Sequence, residues 1–295
     1  MSGAGCEGLL TGRTTVVGVI GWPVEHSVSP QMHNAALRAL GLDWCYVPFA
    51  VRPEALPAAV AGLRALGLRG LNATVPHKQA LMPLMDALTP QARAIGAVNT
   101  LLLREDGLLG HNTDARGFVR ALREAGFDPH ACSALVLGAG GAARAVVYAL
   151  LSEGASVTLL NRTPARADAL LDELSPYAAS GARIASGALD ASMLRRAASD
   201  ARLIVNATTL GMWPHNDASP WLDDVLLPQD AFCYDLVYNP RVTRWLSQAR
   251  AVGCACADGL GMLVHQGAEA LELWTGRAAP VDVMRAACEA ALGGR

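Results

Sequence analysis

The segment ALVLGAGGAARAVVYALL, residues 134–151, decides the fold of this chain. An apolar run typical of a buried strand leads into a glycine turn, and a helical pattern follows directly. Glycine permits the tight turn and the close approach of a phosphate, while the helix start offers main-chain N–H groups to an anion. The residues that we expect to contact a cofactor here are Gly138, Gly140, Gly141 and Ala142. Ala143 stands where the fingerprint GxGxxG has its third glycine, a position that also accepts alanine, so the segment predicts a dinucleotide-binding domain.

The end of the next predicted strand indicates which dinucleotide binds. An aspartate or glutamate there would bind the ribose 2′-hydroxyl of NAD and repel the 2′-phosphate of NADP. The sequence instead has NRTPAR at residues 161–166, without an acid. Arg162 and Arg166 offer charge-assisted donors to a phosphate, and Asn161 and Thr163 can add neutral hydrogen bonds, so we predict NADP. The alternative interpretation is that Thr163 caps the next helix and that both arginines are solvated.

Strand-like and helix-like segments alternate in two series along the chain. The first series runs from TTVVGVIG at residue 14 to GLNATV at residue 70, and the second begins near residue 115 with ARGFVRALREAG. This order is typical of parallel sheets covered by helices on both faces, and it predicts an α/β protein of two domains. Within the first series, Ser29 followed by Pro30 predicts a helix start with the serine as N-cap.

The bulk properties are those of a folded enzyme and exclude several other classes. With 295 residues and 52% hydrophobic content, the chain can form real cores. A net charge of −2 gives no attraction to nucleic acid or to a membrane surface. Seven scattered cysteines form neither a disulfide framework nor a CxxC zinc set, and the histidines lack metal-site spacing, so we expect no metal. Neither a signal peptide nor a membrane span is evident, and we expect a cytoplasmic protein.

The stretch LNATVPHKQA, residues 71–80, raises the question of whether Lys78 is a solvated surface charge or a catalytic group. Extended backbone would place alternate side chains, among them Asn72 and Thr74, on one face near the end of a strand. The letters that follow, KQALMPLMDAL, predict a helix over residues 78–88. The local pattern alone leaves both interpretations of the lysine open.

Six polar motifs interrupt otherwise apolar surroundings. They are GWPVEHSVSP (21–30), NATVPHK (72–78), GAVNTLLL (96–103), GHNTDARG (110–117), DLVYNP (235–240) and DGLGMLVHQGAEALELWTG (258–276). In this order, and over nearly the whole chain, they resemble the shikimate dehydrogenase family. The resemblance implies an NADP-dependent oxidoreductase that reversibly reduces 3-dehydroshikimate to shikimate in chorismate and aromatic amino acid biosynthesis.

The resemblance also implies roles for individual residues. Lys78 and Asp114 match the family's catalytic pair, in which the lysine supplies a proton or a positive charge at the ketone oxygen and the aspartate orients it. The residues matched to substrate contacts are Ser27, Ser29, Thr74, Asn99, Tyr238 and Gln266. Those matched to cofactor contacts, besides the glycine turn, are Asn161, Arg162, Thr163, Arg166, Asn206, Gly259 and Met262. The implied domains are a mostly parallel α/β substrate domain, residues 1–114 with 255–295, and a Rossmann-type NADP-binding domain, residues 115–254, with a cleft between them.

Some positions depart from the family pattern, and alternative substrates and functions therefore need to be considered. Ala115 stands where glycine is common and His77 where an aromatic residue is frequent, which bears on substrate affinity rather than on reaction type. Quinate or an aminated shikimate analogue is the alternative substrate on the same fold. The quinate branch tends to carry threonine at the position of Ser29 and an acid near Asn161, so the sequence favours shikimate. A non-catalytic NADP-binding regulatory protein is the rival from another class, and a monomer and a homodimer are equally open.

Overall fold

The computed structural model describes residues 10–293. These form two compact units, residues 10–113 with 267–293 and residues 114–266. Each unit contains one six-stranded sheet with helices, which confirms the predicted α/β class. No helix within residues 10–293 is long and apolar enough to cross a membrane.

The first unit is built on a mixed sheet. Its strands are β1 (Thr15–Gly21), β2 (Trp44–Ala50), β3 (Gly70–Ala73), β4 (Ala87–Leu88), β5 (Thr100–Arg104) and β6 (Gly107–His111). They lie in the order β2-β1-β3-β5-β6-β4. β1 pairs in parallel with β2 and β3, and β4 with β6, while β5 is antiparallel to both of its neighbours. The last five residues of β1 are buried, as expected for a strand with parallel neighbours on both sides.

Helices of the first unit differ from the sequence prediction in two places. The helices are α1 (Ser29–Ala39), α2 (Leu56–Ala65), α3 (Pro90–Ile95) and α10 (Val281–Gly293), with short 3-10 turns at Pro53–Ala55 and Met82–Leu84. The predicted helix over residues 78–88 is wrong, because Pro83 lacks an N–H and its ring obstructs a preceding carbonyl. The predicted N-cap is wrong by one residue, since Val28 holds that position without a side-chain cap and Ser29 already belongs to α1.

A glycine lets a tryptophan pack closely against the first sheet. The indole Nε1 of Trp274 donates to the Leu101 carbonyl at 3.0 Å, and the ring is buried. A methyl group on Gly70 would collide with this ring and with the Leu101 carbonyl. The absent side chain therefore creates the space that a large aromatic group fills, and such a group contributes strongly to a core.

The second unit is built on a parallel sheet. Its strands are β7 (Ser133–Leu137), β8 (Ser156–Asn161), β9 (Ile184–Ala188), β10 (Leu203–Asn206), β11 (Phe232–Asp235) and β12 (Ala255–Ala257). They lie in the order β12-β11-β10-β7-β8-β9, and all five pairings are parallel. With β7 counted as the first strand this is the 3-2-1-4-5-6 order of the Rossmann fold, which confirms the predicted type of the second domain.

The helices of the second unit complete this fold. They are α4 (Asp114–Glu124), α5 (Gly141–Ser152), α6 (Pro164–Leu174), α7 (Ala191–Ala198) and α8 (Arg244–Ala251), with a short 3-10 turn at Ser175–Tyr177. Helix α9 (Leu260–Thr275) then carries the chain back to the first unit. The division differs from the predicted boundary after residue 254, because β12 pairs with β11 and residues 255–266 belong to the second unit.

Candidate active site

Lys78 lies on the loop that follows β3, and main-chain hydrogen bonds hold this loop. The Thr74 amide donates to the Ile20 carbonyl at 3.0 Å, and the His77 amide donates to the Thr74 carbonyl at 2.9 Å, which closes a turn. The Lys78 carbonyl accepts from the Val98 amide at 2.8 Å. Since Lys78 is half-buried, its side chain extends from a fixed and partly covered position.

A buried polar network surrounds Asn99 in the first unit. Its Oδ1 accepts from the Thr113 amide at 2.8 Å and from the Thr100 hydroxyl at 3.0 Å, and its Nδ2 donates to the Thr113 hydroxyl at 2.9 Å. Asn72 Nδ2 donates to the Asn99 carbonyl at 3.3 Å, and Asn72 Oδ1 accepts from the Tyr46 hydroxyl at 2.9 Å. Satisfied buried networks restrict their members to one arrangement. This one fixes Asn99 beside Thr113, where the first unit ends.

Ser27 and Ser29, two of the predicted substrate contacts, flank Val28 at the start of α1. The Ser29 amide donates to the Ser27 hydroxyl at 3.2 Å, which brings the two side chains into one turn. Ser29 is only 8% exposed, yet within residues 10–293 its hydroxyl makes no hydrogen bond. A hydroxyl without a partner beside the first N–H groups of a helix is suited to an anionic group. Thr74, another predicted substrate contact, is half-buried on the loop after β3.

Asp114 opens the second unit as the first residue of α4, and it is 3% exposed. A negative side chain is favoured at a helix N-terminus by the helix dipole. The ring of Phe118, one turn later, packs edge-on against Tyr234 with centroids 5.2 Å apart. A methyl group on Gly117 would lie 2.8 Å from the Gln266 amide nitrogen. Close packing on this face of α4 therefore fixes the position of Asp114 within its unit.

The glycine turn has the geometry that a dinucleotide phosphate requires. Gly138 has a φ of +101°, which side chains rarely adopt, and a methyl group there would lie 2.7 Å from Thr208 Cγ2. An added Cβ on Gly140 would meet nothing within 4 Å. Helix α5 begins at Gly141 without a side-chain cap, so its first N–H groups are available to an anion. The residues present therefore fit the pyrophosphate of a bound dinucleotide, with Ala142 in the same helical turn.

The segment after β8 has the donors that the sequence predicted. Thr163 occupies the N-cap position of α6, as the alternative interpretation predicted. Its hydroxyl accepts no hydrogen bond from the helix, so the side chain itself does not cap α6. Asn161 Nδ2 donates to the Thr163 carbonyl at 2.9 Å and closes the turn. Arg162 and Arg166 are exposed and form no ion pair within residues 10–293. Two uncompensated guanidinium groups thus lie just beyond the carboxyl end of β8.

A buried carboxylate that the sequence analysis did not single out organises the DLVYNP segment. Asp235 accepts from Asn206 Nδ2 at 2.9 Å, from the Val237 amide at 3.0 Å and from the Thr243 hydroxyl at 2.7 Å. Burial, the largest influence, raises the pKa of Asp235 to about 6, although these hydrogen bonds act in the opposite direction. The carboxylate therefore ties the ends of two strands to the start of α8 around the loop that carries Tyr238. The contact of Asn206 with the cofactor stays a prediction.

The other predicted residues of the second unit lie around the start of α9. The Gly259 amide donates to the Val237 carbonyl at 3.1 Å, and a methyl group on Gly259 would collide with the main chain of Leu236. Met262 is buried and Tyr238 is half-buried. Gln266 Nε2 donates to a main-chain carbonyl one turn earlier in α9 at 2.8 Å. Glycine at 259 thus permits close contact between the DLVYNP segment and the DGLGM segment.

Three histidines within the six polar motifs have structural partners in the protein, and one of them, His265, lies 3.0 Å from Glu124. His77 Nε2 lies 2.8 Å from the Val51 carbonyl, and His111 lies between the Thr89 hydroxyl at 2.9 Å and Glu269 at 3.4 Å. Within residues 10–293, no group of three or more histidine, cysteine, aspartate or glutamate side chains is arranged to hold a metal ion.

The composition contains a further signal for Lys78. It is the single lysine of the chain, against 23 arginines. Arginine carries five donors but does not release a proton near neutral pH, whereas a lysine ammonium does so when its surroundings favour it. At all of its other lysine or arginine positions the chain has arginine, and only position 78 has the primary amine of lysine. The count favours a role there that requires an amine.

Comparison with known proteins gives concordant results for both units. A family model described as the shikimate dehydrogenase substrate binding domain matches residues 19–101, one described as shikimate / quinate 5-dehydrogenase matches residues 121–229, and one described as the shikimate 5′-dehydrogenase C-terminal domain matches residues 259–289. The shikimate dehydrogenase (NADP(+)) of Geobacter metallireducens is 48% identical over 96% of this chain and 99% of its own.

Solved structures give the same match. A crystal structure of a shikimate dehydrogenase in complex with NADP+ has a TM-score of 0.88 and 37% identity, over 96% of this chain and 98% of that one. The shikimate 5-dehydrogenase of Thermus thermophilus, in complex with NADP(H) and shikimate, has a TM-score of 0.84 and 42% identity, over 94% of this chain and 100% of that one.

Proposed function

This chain belongs to the shikimate dehydrogenase family, and from that premise we propose that it is an NADP-dependent shikimate dehydrogenase. It reversibly reduces 3-dehydroshikimate to shikimate by hydride transfer, as a cytoplasmic enzyme of chorismate and aromatic amino acid biosynthesis. The observation that carries the proposal is 48% identity over almost the full length of an NADP-dependent shikimate dehydrogenase. The unit of residues 10–113 with 267–293 binds the substrate, and the unit of residues 114–266 binds the cofactor.

The cofactor is held by residues of the second unit. Gly138, Gly140, Gly141 and Ala142 present the first N–H groups of α5 to the pyrophosphate. The exposed guanidinium groups of Arg162 and Arg166 bind the 2′-phosphate, and no acid in this segment repels it. When bound, the reduced cofactor supplies the hydride. This donor set supports NADP over NAD.

The chemistry of the protein itself centres on Lys78 and Asp114. Hydride addition to a ketone develops negative charge on the oxygen, and a positioned ammonium group stabilises this charge and donates a proton to it. Asp114 orients the ammonium group of Lys78. The single lysine among 24 lysine and arginine residues supports proton transfer over a purely electrostatic role, because arginine would supply the charge alone.

The substrate is held mainly by residues of the first unit. Ser27 and Ser29, at the start of α1, bind its carboxylate with the help of Tyr238. The ring hydroxyls contact Thr74, Asn99 and Gln266. The unused hydroxyl of Ser29 and the fixed amide of Asn99 support this assignment.

A quinate or aminoshikimate dehydrogenase is the alternative. It is favoured by the second family model, whose description covers both shikimate and quinate enzymes. Against it stand Ser29 in place of threonine and the absence of an acid near Asn161.

Initial rates with shikimate and quinate, each crossed with NADP and NAD, test the proposal. We expect a strong preference for shikimate with NADP. Comparable rates with quinate would support the alternative substrate, and comparable rates with NAD would contradict the cofactor assignment. Absence of activity in all four combinations would favour a non-catalytic NADP-binding protein.

Two substitutions of the lysine separate proton transfer from charge. Lys78→Met removes both, and Lys78→Arg keeps the charge. If the amine transfers the proton, both variants lose about 10² to 10⁴ in turnover while shikimate affinity changes much less. Turnover near that of the parent in Lys78→Arg would show that charge alone is needed. Gln79→Ala, at the exposed neighbouring position, is the matched control for disturbance of the loop.

A further inference from the structure

Three cysteines lie together at one edge of the parallel sheet in the second unit. Cys233 in β11 stands in register with Cys256 in β12, so both side chains are on the same face of the sheet. Cys254 precedes Cys256 by two residues and shares that face in extended backbone. Cys233 and Cys254 are buried in the apolar core of the unit, and Cys256 packs against this core while partly exposed. Because β12 is the edge strand, solvent reaches the group at Cys256.

The surroundings lower the pKa of the partly exposed thiol and raise those of the two buried thiols. A hydrogen bond from Cys233, together with a hydrogen bond and the positive charge of Arg250 on α8, lowers the pKa of Cys256. The same bond to Cys256 and burial raise the pKa of Cys233. Burial also raises the pKa of Cys254, whose thiol donates to the Pro228 carbonyl at 3.3 Å. Since the thiolate is the nucleophilic form of cysteine, Cys256 is the reactive member of the group.

Cys132 provides an internal comparison in the same unit. It is the other partly exposed cysteine within residues 10–293. Burial raises its pKa to about 11, and the nearby charge of Asp128 acts in the same direction. Partial exposure is therefore common to Cys132 and Cys256, and the electrostatic surroundings differ.

We propose that Cys256 is a modification site for peroxides and that Cys233 resolves the oxidised form to a disulfide. The Cys256 thiolate attacks one oxygen of hydrogen peroxide, an S–O bond forms, the O–O bond breaks, and the departing hydroxide takes a proton to become water. Cys256 is then a sulfenic acid. The Cys233 thiol loses its proton and attacks the Cys256 sulfur, an S–S bond forms, and hydroxide leaves and becomes a second water. In sum, two thiols and one peroxide give one disulfide and two waters.

The sheet geometry selects Cys233 as the resolving thiol. Neighbouring strands lie about 4.7 to 4.9 Å apart, which falls within the Cα–Cα range of about 4.4 to 6.8 Å found for disulfides. Cys254 and Cys256 are two residues apart on an extended chain, about 6.6 Å by the same geometry, which is near the upper limit.

The full-length chain with Cys6→Ser, a position outside the described residues, is suited to the test. It is treated with stoichiometric hydrogen peroxide at neutral pH, and unreacted thiols are then alkylated. Cleavage after arginine leaves Cys233 in residues 203–241, Cys254 and Cys256 together in residues 251–277, and Cys132 in residues 124–144. A disulfide between the first two peptides is thus distinct from one within residues 251–277. The Cys254→Ser variant identifies which cysteine of the second peptide is linked.

We expect a link between residues 203–241 and 251–277 that persists in Cys254→Ser and is lost in Cys256→Ser. In Cys233→Ser, whose hydroxyl can still donate to the Cys256 sulfur, dimedone should trap the sulfenic acid on Cys256 because no thiol remains at position 233. Cys256 should react at least about ten times faster than Cys132, in accord with its greater thiolate fraction. Equal or faster oxidation of Cys132, or a disulfide confined to residues 251–277, would overturn the proposal. The disulfide between residues 203–241 and 251–277 is measured in the protein that keeps Cys233, so this measurement does not depend on whether the Cys233 variant folds.

Discussion

We expect Asp235→Asn to remove a defined part of the pH dependence of stability. Asp235 is fully buried, and burial raises its pKa from 3.8 to about 6. Between these values the folded protein keeps a proton that the unfolded chain releases, so the free energy of unfolding falls as the pH rises through this window. At about 1.4 kcal/mol for each pKa unit, the loss amounts to about 3 kcal/mol when the window has been crossed.

Asparagine suits this test because it keeps the shape of the side chain and has no charge to lose. Its Oδ1 can accept from Asn206 and from the Val237 amide, and the Thr243 hydroxyl can rotate to accept from the new Nδ2. The free energy of unfolding of the variant can thus be compared with that of the parent at each pH. Other carboxylates contribute equally to both values, so their contributions cancel in the difference.

The assay is urea unfolding of both proteins at about pH 4, 5, 6 and 7, followed by circular dichroism. The free energy of unfolding of Asp235→Asn, relative to the parent, should rise by about 3 kcal/mol from the lowest to the highest pH. Asp230→Asn, which removes an exposed carboxylate of the same unit, is the control. A constant difference between Asp235→Asn and the parent over this range would refute the reasoning.

Three further predictions concern other parts of the molecule. Gly138→Ala should weaken NADP binding at least about tenfold by calorimetry, since it combines strain at a φ of +101° with a methyl group 2.7 Å from Thr208 Cγ2; unchanged affinity would contradict the assigned turn. Arg162→Gln should lower NADP affinity by about 1.5 to 3 kcal/mol with little effect on NAD, and equal losses for both cofactors would argue against a 2′-phosphate contact. Trp274→Phe should cost about 1 to 3 kcal/mol in thermal unfolding, because it removes the buried indole hydrogen bond to the Leu101 carbonyl and leaves a smaller ring in the same space; an unchanged melting temperature would count against the importance of that contact.

The parts of the fold that the sequence predicted correctly depend on local patterns. The strand, glycine turn and helix of residues 134–151 occur within one short segment, and a φ of +101° at Gly138 is a constraint that glycine itself reveals. The predicted helix over residues 78–88 is wrong because the prediction followed the helical spacing of the apolar residues and gave too little weight to Pro83, which disrupts a helix. The boundary after residue 254 failed because β12 has only three residues, too few for a periodic pattern.

The network around Asp235 illustrates what local patterns cannot supply. Its donors come from residues 206, 237 and 243, on a neighbouring strand, on the following loop and at the start of α8. No spacing in the sequence brings these three together, and the parallel sheet does so through the pairing of β10 with β11. The sequence identifies the motif DLVYNP, but the structural role of its first residue, Asp235, depends on the pairing of β10 with β11.

The single lysine has a practical consequence for anyone who handles this protein. Reagents that couple dyes, biotin, cross-linkers or solid supports to proteins react mainly with primary amines. Here the side chains offer such reagents one target, at position 78, with the chain's α-amino group as the other amine. Routine conjugation therefore amounts to a site-directed alteration of the residue proposed to move the proton, and attachment through a cysteine or through the N-terminus preserves it.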